Sequence, residues 1–211
     1  MRLRRSLTFR RNYLFLTMIV FGCTLGPSSA SSESPRYASY QQIGEQVHAP
    51  SGWLQFCRDW RSDCPSKDLT PRDIVLNAKS WRDLQVVNGS VNRDIVAVSD
   101  EDHYGRDEYW AYPEDGKGDC EDIVLLKRRT LMQLGYPIQA LLITVVADAK
   151  GAGHAVLTVR TDQGEFILDN LKNKVLPARQ TGYRFVKRQS QRNPNVWERL
   201  GTDSSAPVAA R

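Results

Sequence analysis

The chain has 211 residues, with 29 Lys+Arg against 24 Asp+Glu and a formal net charge of +5. Five of those arginines and no acid fall in residues 1–30, so the other 181 residues carry 24 of each sign. A neutral remainder of that size gives no reason to expect nucleic-acid binding and suits one domain with a proper core.

In chain order, Met1–Asn12 is arginine-rich, Tyr13–Gly26 is apolar, and Ser28-Ser29-Ala30 places small residues before a cleavage point. This is the pattern of a secretory signal cut near Ala30, with periplasmic localisation as the expectation. Arg10-Arg11 leaves the twin-arginine route open beside the general one. The apolar run is 14 residues, short of the roughly 20 a spanning helix needs, so no stable membrane span after processing is expected. Residues 31–50 read as a flexible leader, 51–200 as the domain and 201–211 as a frayed tail. In an exported chain Cys57 and Cys64 read as a disulfide, which leaves Cys120 unpaired.

Thr70-Pro71 predicts a helix start, with a loose apolar period running to Asn88-Gly89. Val91–Val98 fits helix or strand, and Ser99–Gly118 reads as a long loop whose acidic stretch Ser99–His103 is solvated. A helix follows over Cys120–Leu134, closed by Gly135, with Lys127-Arg128-Arg129 as a solvated face. Ala140–Ala147 predicts a buried strand, and Ala155–Arg160 with Glu165–Leu168 a hairpin about Asp162-Gln163. Tyr183–Lys187 adds another strand, and Trp197 packs the end. Helices first and antiparallel strands after define an α+β fold.

Cys120 is the residue around which the chemistry gathers. A thiol at a helix start meets free backbone N–H groups and the positive end of the dipole. A nucleophilic thiol also needs a base and a group to orient that base. His154 and Asp169 are of the right type, and a two-residue turn at Asp162-Gln163 makes them diagonal neighbours on one sheet face, about 7–8 Å apart by backbone. A register slip of one residue would part them. Singly, each has a bland reading: a packed thiol, a polar loop histidine, a turn aspartate. Asp119, Glu121 and Asp122 crowd the thiol with negative charge and should raise its pKa. They read either as helix capping, with Asp119 at the N-cap, or as ligands for a hard cation such as calcium.

Trp110-x-x-Pro113-Glu114, Gly118-Asp119-Cys120-Glu121-Asp122, Lys127, Leu131, Gly135, Gly153-His154-Ala155-Val156-Leu157 and Leu168-Asp169-Asn170 together resemble the bacterial transglutaminase-like cysteine proteinases. The resemblance runs from about Trp53 to Tyr183. It implies a papain-like, transglutaminase-like core with the nucleophile at a helix N-terminus, packed against an antiparallel sheet that carries the histidine and aspartate. The expected catalytic residues are Cys120 as nucleophile, His154 as base and Asp169 as orienting group. Calcium is implied at Asp119 and Glu121, with Asp122 assisting. Relatives of this kind imply a protein substrate, a large surface adhesin cut near its N-terminus to release biofilm cells, and sequestration by an inner-membrane cyclic-di-GMP receptor. The competing expectations are a transglutaminase or amidase working through the same thioester, and a non-catalytic envelope binding module.

Overall fold

The computed structural model describes residues 39–201. The expected signal segment, the first part of the expected leader and the residues beyond Gly201 lie outside the described residues. In chain order the elements are β1 (Ile43–Val47), α1 (Ser51–Asp59), α2 (Ala78–Asp94), β2 (Val96–Ala97), α3 (Asp100–Tyr104), β3 (Lys117–Gly118) and α4 (Cys120–Gln133). Six strands follow: β4 (Leu141–Ala147), β5 (Gly153–Thr161), β6 (Gly164–Asp169), β7 (Lys172–Pro177), β8 (Arg184–Gln189) and β9 (Trp197–Leu200).

Seven strands form one antiparallel sheet in the order β1-β9-β8-β4-β5-β6-β7, and β2 and β3 make a separate short parallel pair. The β5–β6 hairpin pairs Leu157 with Leu168 and Thr161 with Gly164, the register expected from a turn at Asp162-Gln163. Alternation then divides the sheet. Ile143, Val145, Ala155, Leu157, Val159, Phe166 and Leu168 join the main core with Leu84, Val87 and Val91 of α2 and Ile123, Val124, Leu125 and Leu131 of α4. Val146, Val156 and Ile167 face the other way, in a smaller cluster with Ala178. Each Val, Leu, Ile or Phe side chain among these contributes on the order of 1.5–3 kcal/mol when removed from water. A Cβ on Gly52 would come 2.1 Å from the Trp110 ring, so only glycine lets α1 approach that indole.

Four expectations are corrected. The leader is not wholly flexible, because Ile43–Val47 is an edge strand held by β9, with Glu45 3.2 Å from Arg199. Thr70-Pro71 does not open a helix. Residues 70–77 run extended, with Ile74 bridged to Thr161, and α2 begins only after Asn77, which closes a capping box with Ser80. The strand over Lys172–Pro177 was not expected, since it is an outer strand of mixed composition ending in proline. Lys127 and Arg128 are buried rather than solvated, because α4 packs against both β5 and α2 and most of its side chains are buried. Lys127 Nζ donates to Asn88 Oδ1 at 2.8 Å, and burial lowers its pKa to about 7. Arg128 Nε donates to the Leu141 carbonyl, with its guanidinium over the Trp53 ring. The Cys57–Cys64 disulfide is formed.

Candidate active site

The α4 helix starts where the sequence placed it, and Cys120 is its first residue. The thiol is the one free cysteine among the described residues. Its Sγ–H donates to Glu121 Oε2 at 2.8 Å, and the backbone N–H of Ala155 acts to lower the thiol's pKa. That N–H belongs to the residue after His154, so the helix tip meets the start of β5. Burial first, then the negative charge of Glu121 and its hydrogen bond, and then Asp119, push the thiol well above the ordinary cysteine range.

His154 and Asp169 come together as the hairpin register requires. The ring Nε2 lies 3.0 Å from Asp169 Oδ1, with both groups buried. The same carboxylate accepts from the Leu171 N–H at 2.9 Å and from the Tyr183 hydroxyl at 2.7 Å. Burial opposes its ionisation, but the hydrogen bonds from His154, Leu171 and Tyr183 win, and its pKa is lowered. The turn after Asp169 is pinned from α2: Asn92 Nδ2 donates to the Asp169 carbonyl at 2.9 Å, and Asn88 Nδ2 to the Lys172 carbonyl at 2.8 Å.

Asp119 occupies the N-cap position of α4, but its side chain makes no capping hydrogen bond. Its Oδ1 is buried without a partner, as are Asp122 Oδ2 and Asp100 Oδ1. The second oxygen of Asp122 accepts from the Ala111 N–H at 2.7 Å, and that of Asp100 from the Tyr109 N–H. Oxygens of Asp100, Asp119 and Asp122 lie within 4.8 Å of one another. Burial above all pushes Asp100 up to about 6 and Asp122 up to about 8, with the neighbouring carboxylates adding to both. Three converging carboxylates, each with an orphaned buried oxygen, fit a hard cation held by oxygen ligands.

Two assignments shift as a result. Asp100 is not on a solvated loop; it is 4 % exposed and completes the oxygen cluster from the start of α3. Glu121 turns to the thiol, and its own group with Asp119 includes that sulfur, a donor less suited to calcium than carboxylate oxygen. Burial and Asp119 push Glu121 well above the carboxylate range. Gly118 sets the spacing: a Cβ there would stand 2.6 Å from Asp122 Oδ2 and 2.7 Å from its Cβ. Gly118→Ala therefore displaces the Asp122 side chain and costs about 1–3 kcal/mol of stability, read as a lowered Tm.

Helices on an antiparallel sheet, with a thiol at the tip of the central helix, define a protein of the transglutaminase-like class. The chain belongs to the bacterial transglutaminase-like cysteine proteinases (BTLCP), whose sequence profile matches residues 43–205. Among solved structures it is similar to Legionella pneumophila LapG, at 33% identity over 51% of this chain and 63% of that one, with a TM-score of 0.44. That match spans less than two thirds of the length of LapG. The EGTA-treated form of LapG gives 29% identity over 61% and 70% of the two chains, with a TM-score of 0.47. The calcium-bound form gives 26% over 74% and 86%, with a TM-score of 0.49. No curated protein matches the chain.

Proposed function

We propose that the protein is a calcium-dependent periplasmic cysteine endopeptidase in which Cys120, His154 and Asp169 form the catalytic triad. The observation that carries this reading is the buried His154–Asp169 pair at 3.0 Å, with His154 on β5, the strand against which the Cys120 helix α4 packs. With Nε2 engaged by Asp169, Nδ1 is the ring nitrogen left to accept the thiol proton. Asp169 fixes the ring and stabilises the imidazolium that forms. The sulfur attacks a peptide carbonyl, whose developing oxyanion meets the Cys120 backbone N–H at the helix tip. His154 returns the proton to the leaving amine, and water then hydrolyses the thioester. Because burial and Glu121 disfavour a standing thiolate, proton transfer to His154 accompanies the attack.

Asp100, Asp119 and Asp122 would hold calcium. The bound ion would supply positive charge that offsets the carboxylates beside the thiol. The substrate we assign is a large surface adhesin, cut near its N-terminus, and the regulator an inner-membrane cyclic-di-GMP receptor that sequesters the protease. No helix of the described residues is long and apolar enough to cross a membrane. The test is incubation with an N-terminal adhesin fragment and a fluorescent primary amine, with and without EGTA. Two shorter fragments without label, lost on chelation, are expected. Amine-labelled or cross-linked product would assign the chain to acyl transfer instead.

A further inference from the structure

We infer that Tyr183 is a positioning residue for the imidazole–carboxylate pair, acting through Asp169; this rests on the triad reading above. Its hydroxyl donates to Asp169 Oδ2 at 2.7 Å, while Oδ1 takes the Leu171 N–H and faces His154 Nε2. A carboxylate held at one oxygen can swing about its Cβ–Cγ bond. Held at both, it has one plane, and that plane aims Oδ1 at the ring. The tyrosine also walls the histidine, with ring centroids 5.7 Å apart and planes tilted by 57°.

Tyr183 is itself held in place. Its N–H donates to Thr181 Oγ1 at 3.3 Å, and that hydroxyl donates to the Ala178 carbonyl at 2.8 Å. The Lys172 ammonium sits 4.7 Å over the phenol ring and donates to the Thr181 carbonyl at 2.7 Å. Gly182, at φ +78°, supplies the left-handed turn that swings the chain back towards Asp169. The arrangement spends a lysine, a threonine and a glycine on aiming one phenol at one carboxylate oxygen. Tyr183 does not touch the sulfur in any hydrogen bond, so its influence runs through the orientation of Asp169 and His154.

The experiment uses the full chain in calcium-containing buffer and needs no substrate. Alkylation of Cys120 by iodoacetamide is followed peptide by peptide in mass spectra, and the His154 Nε2–H resonance is read by NMR in histidine-labelled protein. Tyr183→Phe should keep the wild-type Tm within a few degrees, slow alkylation about fivefold to tenfold and move or broaden the Nε2–H signal. Putting 4-aminophenylalanine at position 183, which keeps the ring and an N–H donor, should restore both. In an Asp169→Asn background, Tyr183→Phe should slow alkylation no further. The inference is overturned if Tyr183→Phe leaves rate and resonance unmoved, or if its effect is undiminished without the Asp169 carboxylate. If His154→Ala alkylates at the wild-type rate, the triad reading itself fails and takes this inference with it. Slowing in His154→Ala with none in Tyr183→Phe removes the tyrosine's role alone.

Discussion

For the proposed triad, Cys120→Ala and His154→Ala should each lower peptide-bond cleavage by at least about 10⁴-fold, and the double variant should be little worse than either. In the proposed mechanism the two groups would act as one unit: without the sulfur the imidazole would have no proton to take, and without the imidazole the sulfur would stay protonated. That protonation is reinforced here, since burial and the Glu121 carboxylate both hold the proton on Cys120. Asp169→Asn should cost about 10²–10⁴-fold, because an amide at that site no longer stabilises the imidazolium. Its folded state should persist, since the Asn92 and Asn88 hydrogen bonds that pin the turn after position 169 end on backbone carbonyls. The measurement is the rate of fragment appearance for each variant, beside its Tm. Additive losses for Cys120 and His154, or wild-type cleavage by Cys120→Ala, would sink the proposed triad.

The residues that could be read in the sequence are those whose placement is set locally. The glycine turn before Asp119 and the apolar run to Leu134 fix the start of α4, and so the position of the thiol. Asp162-Gln163 fixes the β5–β6 register, and with it the meeting of His154 and Asp169. What could not be read depends on contacts between distant segments. Asp100 lies nineteen positions before Asp119, and only the β2–β3 pair and the folding of α3 bring their carboxylates together. Lys127 and Arg128 look like a surface stripe until their neighbours are known; Asn88 and the Leu141 carbonyl supply the partners that permit burial. Thr70-Pro71 carried a helix-start signal, but Leu76 N–H is taken by Asp162 Oδ1 and Ile74 by β5, so tertiary pairing kept the segment extended. The family resemblance implies Glu121 as a calcium ligand beside Asp119 and gives Asp122 only an assisting part. Helical geometry turns Glu121 to the thiol and Asp122 to the Ala111 N–H.

Chelated protein should lose stability as pH rises from 5 to 7, and calcium should reverse the trend. Asp122 is pushed up to about 8 and Asp100 up to about 6, chiefly by burial. In the unfolded chain both titrate near 4. The folded state therefore binds their protons more tightly, so their contribution is fully present below about pH 4 and is lost as pH rises through the folded values. Lys127 works in the opposite sense, since its pKa is lowered to about 7, but its stabilising change comes only above that pH. Keeping the scan below pH 7 separates the two. Calcium at the proposed site would compete with those protons for the same oxygens, so its gain in Tm should widen with pH. At a thousandfold excess over Kd it would contribute about 4 kcal/mol. Asp122→Asn should flatten the pH slope of the chelated protein and abolish the calcium response in one step, because the same orphaned oxygen serves both. An equal calcium gain at pH 5 and pH 7, or a full response in Asp122→Asn, would place the cation elsewhere. In that case the acid cluster beside Cys120 would be a strained feature of the fold with no ion to relieve it.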